Sequence, residues 1–442
     1  MISDKDLPEL EDYRLLEKDL PMEMVPAFGP LVVYDANENS PVHRWFRFKE
    51  AYSADLLNEL LRHVGGGKHD LVLLDPYCGV GTALLSAQIN PELINSATGV
   101  ERNPLVAFVA RTKLSWPLID TRELDRAAAA VLSTPMESSC RLPELSSIRT
   151  GRCITRHIAR HLVSLRDSIF RLPESAERDA LLLGLAASIE PLSRVRKDGR
   201  ALRIVDRPHQ YAIPTLRRKW IQIRDDVAEM QASHQQVAAT NVKEGDGRAL
   251  NSVSIGTGSV DVIMTSPPYP NNIDYSEVYK LELWLLGFVS TREEFLQLRK
   301  TTLRSHPTSD LRTKPEPDFL SAIATDPLAR FFAPLLRRTE AHREKWRNKL
   351  ALGYFSDVWV SLKEQYRCLR PGGRAFLVLG NSLHGRSGEA YLIPTDLLVG
   401  QLAVEVGLEL EKIIVARHTR RRLSGNHFLR ESIICLRKSK NV

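Results

Sequence analysis

The chain reads as an α/β protein: one doubly wound sheet interrupted by two mostly helical insertions. Two observations predict this. Residues 71–101 run strand, Gly-rich turn, helix, strand and carboxylate, the opening of a Rossmann-like nucleotide-binding sheet. Strand patterns then lapse and resume at 242–246, 260–264, 375–379, 408–416 and 432–436, with charged helical stretches between them. The order divides the chain into an N-terminal arm (1–40), a first core segment (41–112), a basic insertion (113–240), a second core segment (241–290), a second insertion (291–350) and a third core segment (351–442).

Each element has its own signal. Residues 1–40 are irregular and dotted with proline, and are expected to lie as an arm on the core. From His43 the apolar positions 56, 57, 60, 61 and 64 predict a helix, ended by Gly65, Gly66 and Gly67. Residues 71–74 form a short buried strand that stops at Asp75-Pro76; Gly79 and Gly81 make the turn, and a helix starts at Thr82. Residues 97–101 form a second strand, and 104–112 the helix after it. Residues 120–239 are mostly helical. The strand at 260–264 runs directly into Thr265-Ser266-Pro267-Pro268-Tyr269. Residues 353–369 are amphipathic and end at Arg370-Pro371-Gly372-Gly373, a helix stop.

Composition is that of a soluble globular chain, with 442 residues, 43% hydrophobic and 26% charged. The longest apolar stretches, 181–189 and 397–406, have half the length a bilayer needs, so no membrane partner is expected. The first residues are acidic and polar, unlike a signal peptide. Cys78, Cys140, Cys153, Cys368 and Cys435 are scattered without CxxC spacing, so neither a metal site nor a disulfide framework is expected, and a reducing cytoplasm fits. Net charge is +7, compatible with a polyanionic partner. The charge is clustered. Residues 194–224 carry ten Arg or Lys against two Asp, with His209, Tyr211 and Trp220 among them, and a second basic stretch spans 330–349.

The segment Asp75-Pro76-Tyr77-Cys78-Gly79-Val80-Gly81-Thr82 lies where a strand delivers the chain to a helix start. Gly79 and Gly81 let the backbone approach a ligand where a Cβ would block it, and the helix start offers free N–H groups. Position 84 is Leu, so the phosphate fingerprint GxGxxG is absent. The loop begins with an acid, which repels phosphate and suits an ammonium group. Glu101 ends the second strand, where a carboxylate can accept from both ribose hydroxyls. Asp246 ends the next strand and can accept from an adenine amino group. A ligand with an amino-acid end, a ribose and no phosphate is S-adenosylmethionine, the expected cofactor. Its candidate contacts are Asp75, Pro76, Tyr77, Cys78, Gly79, Gly81, Thr82, Glu101, Arg102, Asp246 and Lys49.

The sharpest motif is Ser266-Pro267-Pro268-Tyr269, the candidate catalytic set. Consecutive prolines cannot sit in a paired strand; at a strand's carboxyl end they make a stiff loop on the ligand-binding edge of the sheet. An exocyclic amine on a base is a poor nucleophile because its lone pair is delocalised into the ring. Fixed acceptors around the nitrogen localise that pair, and the Ser266 hydroxyl and Pro267 carbonyl can supply them while Tyr269 stacks on the base. The rest is positioning, with no metal or strong base required. A base within a duplex must be flipped out to reach such a loop, at a cost of roughly a few kcal/mol, so a DNA-gripping region is also expected.

The motifs DPYCGVGT and TSPPY together resemble those of the S-adenosylmethionine-dependent amino-methyltransferases of DNA. The segment HRWFRFKEAYSADLLNELL is similar to the family's cofactor helix. The resemblance covers residues 43–112, 241–290 and 351–436 and neither insertion. It implies the methyltransferase version of the sheet and a DNA substrate. Ser rather than Asp or Asn at position 266 implies a cytosine-N4 enzyme, with a cognate restriction endonuclease or defence-system subunits as partners. Val80 stands where the family commonly has Ser. The motif extension through Tyr279 is similar to that of RNA amino-methyltransferases acting on tRNA, and a non-catalytic nucleic-acid-binding subunit is a third reading. Candidate target contacts are Asn271, Asn272, Asp274 and Tyr275 after the motif, Asn381 beyond the neighbouring strand, Arg217, Arg218 and Lys219 in the basic insertion, and Arg420 and Arg421 in the RHTRRR loop starting at Arg417.

Overall fold

Short, nearly continuous apolar runs such as Leu71-Val72-Leu73-Leu74 bury both faces, as strands in the middle of a parallel sheet must. A computed structural model describes residues 6–63, 69–135, 150–198, 201–206, 211–386, 388–419 and 428–440. Its strands are β1 (Met22–Met24), β2 (Leu71–Asp75), β3 (Ile94–Glu101), β4 (Val195–Asp198), β5 (Ala201–Ile204), β6 (Ala239–Glu244), β7 (Val260–Thr265), β8 (Leu369–Gly380), β9 (Ser382–His384), β10 (Tyr391–Ile393), β11 (Leu408–His418) and β12 (Arg430–Lys438). One eight-stranded sheet has the order β1-β11-β12-β8-β7-β2-β3-β6. Strands β6, β3, β2, β7 and β8 run parallel, and β12 is antiparallel to both β8 and β11. From β2 the chain builds outward through β3 and β6, then returns to the other side of β2 with β7 and β8. The reversal between β2 and β7 is a topological switch point, and ligands bind beyond the carboxyl ends of strands there. The predicted fold class is thus the observed one.

Several elements differ from expectation. The N-terminal arm does pack on the core, but it carries a helix, Leu10–Glu17, and β1. Leu10, Tyr13 and Leu16 are buried, and β1 adds in parallel to the edge of β11. The helix expected from His43 is confined to Leu56–His63, preceded by a short turn at His43–Trp45. Trp45, Phe46, Phe48 and Tyr52 are all buried, and Phe46 is extended; the spacing of 46 and 48 is that of a strand, not a helix. Gly65, Gly66 and Gly67 lie outside the described residues. The third strand of the core ends at Glu244, so Gly245-Asp246 belongs to the loop beyond it. The helix before Arg370-Pro371-Gly372-Gly373 ends where expected, at Cys368, but no loop follows it. The helix Trp346–Cys368 passes straight into β8, and these four residues bulge inside that strand, where Val260 faces Leu369 but Val262 already faces Arg374.

The first insertion, between β3 and β6, contains the helices Thr121–Ser133, Arg156–Phe170, Ala176–Leu192 and Ala212–Ser233, and also the hairpin β4–β5, which was not foreseen. Its hydrophobic residues are continuous with those under β2 and β3. Asp226, fully buried on the last of these helices, accepts from the Val42 amide (3.0 Å), the Trp45 indole (2.9 Å) and the Arg44 guanidinium (2.5 Å). The second insertion, between β7 and β8, contributes Arg292–Thr301, Pro317–Ile323 and Leu328–Ala341. Among the described residues no single helix is long and apolar enough to cross a membrane.

Candidate active site

The two predicted loops ride on the carboxyl ends of β2 and β7, which are hydrogen-bonded neighbours. One cleft of about 890 Å³ runs past both. Of the expected residues it is lined by Lys49, Asp75, Pro76, Tyr77, Cys78, Gly79, Thr82, Glu101, Arg102, Asp246, Ser266, Pro267, Pro268, Tyr269, Asn271, Tyr275 and Asn381.

Carboxylates dominate the β2 wall. Asp75 is 1% exposed and accepts from the Tyr77 amide (3.1 Å) and the Tyr52 hydroxyl (3.4 Å). Glu101 accepts from the amides of Gly79 (3.1 Å) and Asn103 (2.7 Å), so it shapes the glycine turn from below. Burial disfavours the charged form of both groups and pushes each carboxyl up to about 7. Gly79 and Gly81 have φ of +53° and +81°, the left-handed conformation that costs glycine nothing. Gly81 does not line the cleft; it caps the helix Thr82–Gln88 and packs toward Ala110. Asp246 is not a free acceptor. Arg248 holds it by a two-pronged ion pair (3.0 and 2.7 Å) and reaches on to Asp357 at 3.0 Å. Burial acts to raise the Asp246 carboxyl, but the Arg248 guanidinium outweighs it and holds the group below its ordinary range. The Lys49 ammonium donates to the Lys197 carbonyl at 3.1 Å, tying this wall to β4.

Sequence reasoning missed part of this wall. Phe48, Glu50 and Tyr52 line it, and Phe48 stacks on Tyr279 with ring centres 5.4 Å apart. Glu50 accepts from the Tyr279 hydroxyl at 3.2 Å. The period-two aromatics at 46 and 48 were the available signal. Residues 301–306 of the second insertion also line the cleft through Thr301, Thr302, Leu303, Ser305 and His306, and no motif marks them.

Neutral groups make the β7 wall. The Ser266 hydroxyl lies 3.2 Å from the Val378 carbonyl and 3.3 Å from the Tyr269 hydroxyl. A carbonyl can only accept, so Ser266 can commit its one proton there and keep its lone pairs as acceptors. The Tyr269 ring lies against Gly380, where a Cβ would come within 2.9 Å of it. Burial raises the Tyr269 hydroxyl above its ordinary range, so it stays protonated. Asn271 folds its side chain back on the Ile273 amide (3.1 Å). Tyr275 lines the cleft and stacks on Phe48.

Other target candidates are engaged elsewhere. Asn272 bonds His384 at 3.2 Å. Asp274 caps the short helix Tyr275–Val278, pairs with Arg299 (2.6 Å) and accepts from Thr308 (2.8 Å), so it is framework and not a free reader of base edges. The Asn381 amide donates to Asp396 (2.8 Å) and the Phe428 carbonyl (2.9 Å) and accepts from the Asp396 amide (3.1 Å), which leaves it little to offer a ligand. Asp396 in turn binds Arg430 at 2.7 Å, and Arg430 pairs with Glu17 of the arm.

The basic stretches separate cleanly. Arg217 and Arg218 are exposed beside Tyr211, itself 72% exposed. Lys219 turns inward to Gln222 (2.7 Å) and the Arg44 carbonyl (3.4 Å). Lys197 is buried against Glu282 (2.5 Å), 4.1 Å from the centre of the Tyr279 ring. In the second stretch, Arg337 pairs with Asp12 (2.6 Å), Arg338 with Glu9 (3.4 Å), Arg343 with Glu389 (3.4 Å) and Arg347 with Glu344 (2.6 Å). That stretch therefore fastens the arm and the β9–β10 connection. Arg420 and Arg421 lie outside the described residues; Arg417 lines the cleft, paired with Glu431 at 2.5 Å. Among the described residues no group of three or more His, Cys, Asp or Glu is placed to hold a metal ion.

No family model matches the chain. The chain is 25% identical over 502 aligned positions to the Type II methyltransferase M.BsoBI of Geobacillus stearothermophilus, covering 98% of this chain and 92% of that protein. It is 26% identical over 417 positions to the Type II methyltransferase M.AvaI of Nostoc sp., covering 87% and 83%. A solved rRNA methyltransferase, aviRa from Streptomyces viridochromogenes, overlaps it loosely, with a TM-score of 0.30, 10% identity and coverage of 88% of this chain and 85% of that one.

Proposed function

We propose that the chain is a site-specific DNA methyltransferase that moves a methyl group from S-adenosylmethionine to the exocyclic N4 of a flipped-out cytosine, within a restriction-modification or related phage-defence system. One observation carries this reading: Ser266, able to commit its proton to Val378, faces the same cleft as the carboxylate wall at β2. The Type II methyltransferase relatives span most of the chain and support a DNA substrate, and a cognate endonuclease as partner follows from the family resemblance. The choice of cytosine follows from Ser at position 266 and the family resemblance.

The residues present fit the cofactor. The left-handed glycine turn brings bare backbone to the cleft, and Asp75, Glu101 and Asp246 put carboxyl groups around it with no phosphate-binding lysine in the loop. Such a wall favours a ligand that is cationic and rich in hydroxyl and amino donors. When bound, S-adenosylmethionine supplies an electrophilic methyl group on a sulfonium. Glu101 would accept from ribose hydroxyls while keeping the Gly79 amide in place. Ser266 accepts from the target amine, Pro267 adds a carbonyl without a competing N–H, and Tyr269, braced on Gly380, offers its face to the base. The wall contributes position and acceptors, which can offset much of the barrier to a bimolecular transfer.

The test is to incubate the protein with radiolabelled S-adenosylmethionine and either unmodified duplex DNA or total tRNA, then to identify the labelled base. Label on N4 of cytosine in DNA is the expected result. Label in tRNA alone would replace the reading with RNA methylation, and no label in either would leave a nucleic-acid-binding subunit.

A further inference from the structure

The catalytic loop is fastened at its beginning by Ser266 on the Val378 carbonyl and by Tyr269 against Gly380. Its far end is fastened differently, by side chains of β9. The Ser382 hydroxyl lies 3.0 Å from the Pro270 carbonyl and 2.8 Å from His384 Nε2. The carbonyl has no proton to give, so the hydroxyl donates to it and must accept from the imidazole. The imidazole therefore donates from Nε2, and its Nδ1 lies 3.2 Å from the Asn272 side-chain amide. Ser382 and His384 are 9% and 3% exposed, and the imidazole is stacked on Tyr391 with ring centres 5.2 Å apart. What they hold is an unusual piece of backbone. Asn272 has φ +66°, a region that Asn tolerates better than most side chains but does not choose unaided. Its own amide donates to the Ser305 carbonyl at 3.2 Å, in the second insertion.

We infer that Ser382 and His384 are positioning residues: a two-residue clamp on Pro270 and Asn272 that sets where Ser266 and Tyr269 stand over the target amine. The inference rests on the proposed methyl transfer for its kinetic consequence but not for its structural one. Neither residue belongs to the Ser266–Tyr269 motif or to the cofactor wall. The clamp acts through the loop, so it should govern the rate of transfer and leave cofactor affinity alone. It also acts as a unit, because losing either member releases the same end of the loop.

The test uses the full chain with Ser382→Ala, His384→Ala and the double variant. Three quantities are read: cofactor affinity by calorimetry, single-turnover methylation of unmodified DNA, and hydrogen exchange of the peptide spanning 266–275. Each single variant is expected to slow transfer about 10- to 100-fold, as loss of ångström-level placement does, with cofactor affinity kept within about twofold. The double variant is expected to be no slower than the worse single one. Exchange in 266–275 should rise in all three while the β2 region stays protected. Loss of cofactor affinity in step with rate, additive losses in the double variant, or unchanged exchange would each overturn the clamp. If the wild-type protein labels no DNA, the proposed function fails, and the exchange measurement alone still decides the clamp.

Discussion

The β2 wall of the cleft carries two carboxyls, Asp75 and Glu101, that burial pushes up to about 7, beside Asp246, which the Arg248 guanidinium holds below its ordinary range, whereas the β7 wall is made of a hydroxyl, prolines and a tyrosine that do not titrate in the physiological range. The two stand on adjacent parallel strands and open on one cavity. The difference teaches which wall can respond to its ligand. A carboxyl poised at about 7 gains charge when a cation arrives, so the β2 wall adapts electrostatically. The β7 wall can only be right or wrong in geometry.

That contrast can be broken from either side. The largest effect is expected on the rigid wall. Ser266→Ala should lower the single-turnover rate by about 10²-fold or more, the usual cost of removing one preorganised polar group, while calorimetry finds cofactor affinity unchanged. Equal loss in both would mean that Ser266 serves the β2 wall. Next, Glu101→Ala should weaken cofactor binding by about 10- to 100-fold, because it removes the proposed ribose acceptor and frees the Gly79 and Asn103 amides it holds. A normal affinity with a slow transfer step would invert the assignment.

Acidity sharpens the same contrast. Asp75 and Glu101 are both pushed up to about 7 in the free chain. A cationic ligand favours their ionised forms, so binding releases protons below that pH. Cofactor affinity should therefore fall as pH drops below about 7, by up to about tenfold per pH unit for each carboxyl, and level off above it. Transfer within the preformed complex should be flat over the same range. The stability of the ligand-free chain carries the opposite sign. Each folded carboxyl titrates above its unfolded value, so the contribution is complete below about pH 4 and is lost as pH rises through about 7. Thermal melts with and without cofactor at pH 6 and pH 8 would show both trends. The smallest effect lies outside both walls. Arg217→Ala with Arg218→Ala should flatten the salt dependence of DNA binding by about one unit of log–log slope per charge. Arg337→Ala, which removes a partner of Asp12, should leave that slope alone.

What could be read from the chain follows from where information is local. The glycine turn, the acid ending β3 and Ser266-Pro-Pro-Tyr269 are contiguous signals, and all but Gly81 come together in one cleft. The roles of single polar residues were less legible, because partners arrive from far away. Asn381 meets Asp396 and Asp274 meets Arg299, while Arg248, two residues from Asp246, is itself held by the distant Asp357. Charge clusters misled for a related reason. Lys219 and the arginines of 330–349 look like a surface for a polyanion until the arm and the turn at His43 are folded against them. The bulge in β8 was hidden because Pro and Gly read as a helix stop in sequence, whereas the extra residues in the strand show only once β7 is paired beside them.

Asp226 bears on how such a protein can be altered. It reaches from the basic insertion to the backbone and side chains of residues 42–45, which lead directly into the cofactor wall. Lys197 does the same from β4, through Lys49 and Glu282. The insertion is therefore not a cartridge that can be exchanged to change which DNA is addressed. Excising it would leave Arg44 and Glu282 as buried or half-buried charges without counterparts, and it would unseat Phe48 and Glu50 along with them. Under the proposed reading, in which Arg217 and Arg218 contact DNA, retargeting would proceed by grafting onto the exposed face around Tyr211, Arg217 and Arg218, with the inner helix face and β4 kept as they are.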